Sequence, residues 1–488
     1  MHLLLEVCNE YSITKRVRHV NVLPDDPAAK FVIGRPIVSD VAGEFATKQA
    51  KNWIEQCLAK HKVCRSQGKS MLPTRVMDLG LRSDTSSIKL HISKEKESAD
   101  YSALSYCWGE SRTYVLITRT LGAWTHEITV EKLPKTLQVA IEVTRELSIR
   151  YLWVDALCII QDSAVDKEAE IGRMGTVYKN AKVTIAAATA RGVSEGFLSV
   201  RKPLTSCTIP FLTPDGPRGS ISLAAPILAY KPQQPLDSRG WTLQEFLLSP
   251  RVLMYGASEL TWHCQSENFQ TIEKNHIIYH ERVKRLPHQI FNHGNSRGRN
   301  RNKQVELWAS IVEEYTTRYL TDPGDKLPAI AGLANELMEI WEDRYICGMW
   351  QSCLINHLGW SRSYRVKNSF ERSDRGPSWS WISMNCQVLF EVVKYPDVEV
   401  RDCIIEPTGS TFVPGHKTAG RLVLHAKILS TRDLGEKSTR LWHIHPDLDT
   451  GNTARDPIYY LLLGSARMKH PVGLLLTMVG SKQFRRVG

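Results

Sequence analysis

The chain has 488 residues, 42% of them hydrophobic and 23% charged. That balance excludes a disordered, collagen-like or coiled-coil protein and predicts two or three globular domains. Lys and Arg exceed Asp and Glu by twelve (63 against 51), yet the densest basic cluster, Arg297, Arg299, Arg301 and Lys303, lies among Gly, Ser and Asn, the composition of a solvated linker rather than a nucleic-acid surface. There is no run long and apolar enough for a spanning helix, and the short Leu3–Leu5 patch is followed at once by Glu6, unlike a secretory leader. We therefore expect a cytoplasmic chain without a membrane span, whose eleven cysteines are free thiols.

Residues 48–64 predict a helix with Trp53, Cys57, Leu58, His61 and Cys64 returning to one face. Cys57, His61 and Cys64 form C-x3-H-x2-C, a spacing that invites zinc. A fourth ligand is missing nearby, so the sequence favours packing of small side chains over a metal. Two short strands follow, LPTRVMDLG and SSIKLHI, the pattern of a hairpin. An alternation then begins: strand 101–108, a helix from Pro134 to Ser148, strand 150–160, a helix capped by Ser163, strand 182–188, helix 239–249, and strands 251–256 and 260–264. The 150–160 run is apolar apart from Asp155, as in a strand covered on both faces. Such an order predicts an α/β fold, a parallel sheet with helices on both faces. Helical segments fill 305–346, and strand-and-turn material such as PSWSWI fills the rest.

The motifs YSALSYCWGE (101–110), LPKTLQVAIEVTRELSIRYLWVDALCIIQDS (133–163), EIGRMGTVYKNAKVTIAAA (170–188) and SRGWTLQEFLLSPRVLMYGASELTWHC (238–264) occur in the order of the fungal heterokaryon-incompatibility (HET) domain, which the chain resembles over roughly 50–385. The resemblance implies self/non-self recognition in filamentous fungi and death of incompatibly fused cells. The boundaries it gives are a helical lead-in (1–70), the HET domain (71–265), a basic linker (266–304), a helical segment (305–376) and a β-rich C-terminal region (377–488).

The same element order is that of flavodoxin-like and TIR-like domains. TIR domains that cleave NAD carry a glutamate in a pattern resembling Ser-x-Trp-Cys-x-x-Glu. Ser238, Trp241 and Glu245 match it loosely, with one extra residue after the serine and Thr242 in place of the cysteine. On that analogy Glu245 is the catalytic acid, while Arg239, Trp241 and Gln244 line the substrate. NAD enters as a possible substrate, and no cofactor is required. Ligands of open parallel sheets bind beyond the carboxyl ends of the strands. Ser105, Trp108, Gly109 and Glu110 follow the first such strand, and Asp155 and Gln161 follow the second. Asp155, in an apolar run, is expected to hold backbone amides or an arginine such as Arg239.

Two rivals stand beside this reading. Cys158 is a candidate nucleophile with His126 or His263 as base. Alternatively the chain is a non-enzymatic scaffold that self-associates or binds a protein partner, with Trp379 and Trp381 as one candidate surface. A P-loop, a Rossmann glycine triplet and a G-x-S-x-G elbow are all absent from the sequence.

Overall fold

The computed structural model describes residues 19–64, 69–80, 87–110, 114–202, 206–224, 234–266, 270–271, 286–291, 300–363, 375–407, 418–430, 458–465, 471–480 and 483–486. The chain divides into two compact units, Met1–Ser238 with Glu245–Glu281, and Arg239–Gln244 with Arg282–Gly488. Arg297 and Arg299 of the basic cluster lie outside the described residues. Arg301 and Lys303 already belong to a helix, whose first turn is capped by the Asn300 side chain accepting from the Lys303 amide.

The strands of the first unit are β1 (His19–Asn21), β2 (Arg75–Asp78), β3 (Ser87–Ile92), β4 (Tyr101–Ser105), β5 (Ile128–Thr129), β6 (Tyr151–Trp153), β7 (Val183–Ala186), β8 (Ser206–Leu212), β9 (Arg218–Ala224), β10 (Arg251–Tyr255), β11 (Leu260–Cys264) and β12 (Gln270–Thr271). Its helices are α1 (Glu44–Lys60), α2 (Thr118–His126), α3 (Lys135–Glu146), α4 (Asp155–Cys158) and α5 (Ala164–Asn180). A further helix, α6, spans Thr242–Leu248.

Nine strands form one sheet in the order β12-β11-β10-β7-β4-β6-β2-β3-β5. The sequence predicts a parallel sheet, and the four central strands obey: β6 pairs β4, β4 pairs β7 and β7 pairs β10, all parallel. Outside them the pairing turns antiparallel, β2 on β6 and β11 on β10, so the sheet is mixed. The predicted hairpin is β2 with β3, Arg75 opposite Ile92. The small sheet β1-β9-β8 joins His19–Asn21 to two strands from the segment between β7 and α6 and packs around Val22, Ala28, Val32 and Ile221.

The central strands β4, β7 and β10 are buried at every residue, the pattern of strands covered on both faces. Helix α3 buries Leu137, Ala140, Ile141 and Thr144, the stripe that the 3.6-residue period predicts. Ser163 caps α5 as expected, its Oγ accepting from the Asp166 amide.

One prediction fails. Residues 150–160 are not a single strand: pairing stops at Trp153, and Asp155–Cys158 make one helical turn, closed by the Cys158 amide donating to the Val154 carbonyl at 2.8 Å. An apolar run reads the same whether buried as strand or as helical turn.

In the second unit, α7 (Arg301–Tyr315) and α8 (Pro328–Trp341) accompany a five-stranded sheet that includes Ile458–Ser465, Pro471–Gly480 and Gln483–Arg486. The PSWSWI segment is neither strand nor free surface. Trp379 is 8% exposed and Trp381 fully buried, with the Trp381 indole N–H on the Gly348 carbonyl at 2.7 Å. Both tryptophans are therefore used in core packing, the reading the sequence favours for them over a partner surface.

Candidate functional site

The site is best built from the C-terminal end of β4. Ser105 and Glu245 are each 4% exposed, and the Ser105 hydroxyl donates to Glu245 Oε2 at 2.5 Å. A buried carboxyl group is costly unless hydrogen-bonded, and the Ser105 hydroxyl meets part of that need. The backbone around the pair is fixed as well. Ser249 Oγ donates to the Glu245 carbonyl (2.5 Å) and is itself 2.6 Å from Thr184 Oγ1 of β7. Ser105 lies opposite Ala186 in the β4–β7 pairing, and its carbonyl accepts from the Ala187 amide. An apolar cluster of Cys107, Ala186, Ala188, Leu236, Val252 and Met254 adjoins, with Phe246 packed against it.

Beyond Ser105 the loop leads outward. The Trp108 indole N–H donates to Asp155 Oδ2 at 2.8 Å, while Asp155 Oδ1 accepts from the Ala156 amide at 2.7 Å. Asp155 thus ties the end of β4 to the turn after β6. Gln161 closes that turn, its side-chain amide donating to the carbonyls of Asp155 and Ile159. Gly109 has φ +70°, and a Cβ there would meet the Gly192 Cα at 2.9 Å. Its glycine is explained by a left-handed backbone against a second chain segment. Glu110, next to it, is exposed.

Cys158 is placed differently from a nucleophile. The residue is fully buried, and desolvation pushes its thiol up to about 12, so it is protonated at neutral pH. Of its suggested bases, His263 lies on β11, four strands from β6 and hence roughly 19 Å across the sheet. His126 is exposed at the end of α2. The Cys158 carbonyl does structural work, accepting from Arg75 Nε at 2.6 Å, while Arg75 also grips Asp166 through both carboxylate oxygens.

Arg239, Trp241 and Gln244 belong to the second unit. The Trp241 indole donates to Asp325 Oδ2 at 3.0 Å, Gln244 Oε1 accepts from the Gly332 amide at 3.2 Å, and the Arg239 carbonyl accepts from Thr242 Oγ1.

The sequence shows three members of one further constellation and misses the fourth. The side chains of Cys57, His61, Cys64 and Cys264 each present one ligand atom, and the four atoms lie within 4.8 Å of one another. The objection to a metal was the missing fourth ligand. It is supplied by β11, 203 residues beyond His61, and no local spacing rule signals it.

Residues 101–245 match the heterokaryon incompatibility protein (HET) family. No curated protein and no solved structure matches the chain. The matched segment opens at β4, whose last residue is Ser105, and closes at Glu245, so both members of the buried pair lie at its ends. The strand–helix alternation and the motifs read from the sequence between 101 and 245 therefore fall in a segment similar to the heterokaryon-incompatibility (HET) domain.

Proposed function

We propose that the protein acts in an incompatibility-type response, triggering cell death by cleaving NAD or a related nucleotide at the Ser105–Glu245 pair. The observation that carries this reading is the position of the pair. Numbered by appearance from β4, the parallel strands run second, first, third, fourth across the sheet, the order of flavodoxin-like folds. Ligands of such folds bind beyond the strand ends where the order reverses, between the first and third strands. Those strands are β4 and β7, and the Glu245 carboxylate meets Ser105 at that end of β4.

In this reading Glu245 stabilises the positive charge that develops on the ribose as the glycosidic bond to nicotinamide breaks. Ser105 aims the carboxylate. Trp108, half-buried and fixed by Asp155, offers an aromatic face beside the site, and Gly109 and Glu110 form its exposed rim. Trp241 and Gln244, engaged with Asp325 and Gly332, take no part.

The test is incubation of the purified full-length chain with NAD, following nicotinamide by chromatography. Release well beyond one equivalent per chain supports the reading. Its absence across a range of protein concentrations, with NADP and other dinucleotides equally untouched, overturns it.

A further inference from the structure

We propose that Cys57, His61, Cys64 and Cys264 form a structural zinc site that fastens α1 to strand β11 of the large sheet. Three thiolates and one imidazole are a donor set that favours zinc among common cellular cations. A tetrahedral ion with bonds of about 2.3 Å to sulfur and about 2.0 Å to nitrogen needs its ligand atoms roughly 3.5–3.8 Å apart. All four atoms here lie within 4.8 Å of one another, and Cys264 Sγ is 3.4 Å from His61 Nδ1.

The chain folds locally to deliver these atoms. Cys57 stands in the last turn of α1, and the helix stops at His61, whose extended backbone (φ −89°, ψ 103°) turns the chain away. The His61 amide donates to the Cys57 carbonyl and the Cys64 amide to the His61 carbonyl, both at 3.1 Å. Cys264 ends β11, directly opposite Arg251 of β10. That arginine reaches back, and its Nη1 donates to the Cys64 carbonyl at 2.6 Å. One buried guanidinium thus holds a ligand-bearing turn against the ligand-bearing strand, and its charge suits a centre that carries net negative charge with three thiolates bound. Along the same seam, Trp53 of α1 stacks on Trp262 of β11 at 6.2 Å.

Cys57, Cys64 and Cys264 are each at most 5% exposed, and no disulfide joins them. Packing alone explains buried cysteines, but not an imidazole nitrogen converging with three of them. With four protein ligands the coordination is closed, which marks a structural rather than a catalytic ion. On binding, Zn²⁺ displaces the three thiol protons to the buffer, and no redox change occurs.

The full-length protein, purified under reducing conditions without added metal, would be assayed by elemental mass spectrometry. We expect about one zinc per chain, retained through gel filtration. Cys264→Ser should lose most of it, whereas Cys207→Ser, at an exposed thiol, should leave it unchanged. Where Cys264→Ser fails to fold, the wild type still decides: cobalt exchanged into it should give the intense visible bands of a tetrahedral thiolate site. Folded wild-type protein that takes up neither metal when equilibrated with it overturns the proposal. So does a native mass showing two of these cysteines joined as a disulfide.

Discussion

His357 shows how burial at a single residue sets a pH limit. Its ring is fully buried, Nε2 donates to the Val305 carbonyl at 3.2 Å, and Nδ1 has no hydrogen-bond partner among the described residues. Desolvation lowers its pKa to about 4. The unfolded chain takes up a proton near pH 6.5, while the folded ring stays neutral until about pH 4. The contribution to stability is complete above pH 6.5 and is lost as pH falls through about 4, on the order of 3 kcal/mol. The melting temperature of the wild type should therefore fall over this window, and His357→Gln should flatten that part of the profile. A profile identical in both proteins contradicts the assignment. Cys158 gives a second test at this scale. A buried, protonated thiol should resist iodoacetamide in the folded protein at pH 7.5 and react after denaturation, whereas rapid native labelling would restore it as a nucleophile. Glu245 was legible as a candidate only through the loose TIR-like pattern of Ser238, Trp241 and Glu245, since a Trp-x3-Glu spacing on a helix is common by itself. Its bond to Ser105, 140 residues earlier, was not, since only folding brings the two together.

Turns and helix ends decide which elements survive. Gly348, in the turn between short strands Tyr345–Ile346 and Met349–Trp350, has φ +85°. Its carbonyl accepts two indole N–H groups, from Trp308 at 2.9 Å and Trp381 at 2.7 Å. A Cβ at this position would stand 2.7 Å from Trp381 Nε1 and 2.9 Å from Ile382 Cγ2. Both neighbours are buried and unable to give way. Strain and overpacking together should make Gly348→Ala cost about 3 kcal/mol in denaturant unfolding, and a cost below about 1 kcal/mol would show that the turn relaxes freely. Helices with a strong stripe and a clear cap, such as α3 and α5, could be placed from sequence because their signals are local. The run 150–160 could not be divided, because apolar residues satisfy a buried strand and a buried helical turn alike. The tryptophans of PSWSWI were similarly ambiguous until their indole donors met backbone carbonyls.

At the scale of the molecule, the sheet joins segments that sequence order alone leaves apart. Four parallel strands form its centre, flanked by antiparallel pairing through the β2–β3 hairpin and β5 on one side and through β11 and β12 on the other. The alternation of strand and helix made the parallel centre readable. The β2–β3 hairpin was readable too, but its antiparallel docking on β6 was not, since that pairing joins segments far apart in sequence. This arrangement carries the central claim, which is that the Ser105–Glu245 pair does chemistry rather than only holding α6 to β4. The measurement that separates the two is made on Glu245→Gln. The glutamine carbonyl can still accept from Ser105, so a purely structural role is largely preserved, while the charge is removed. We predict a melting temperature close to wild type and nicotinamide release reduced about 100-fold or more. Release from Glu245→Gln at the wild-type rate, in protein of unchanged stability, would contradict the account.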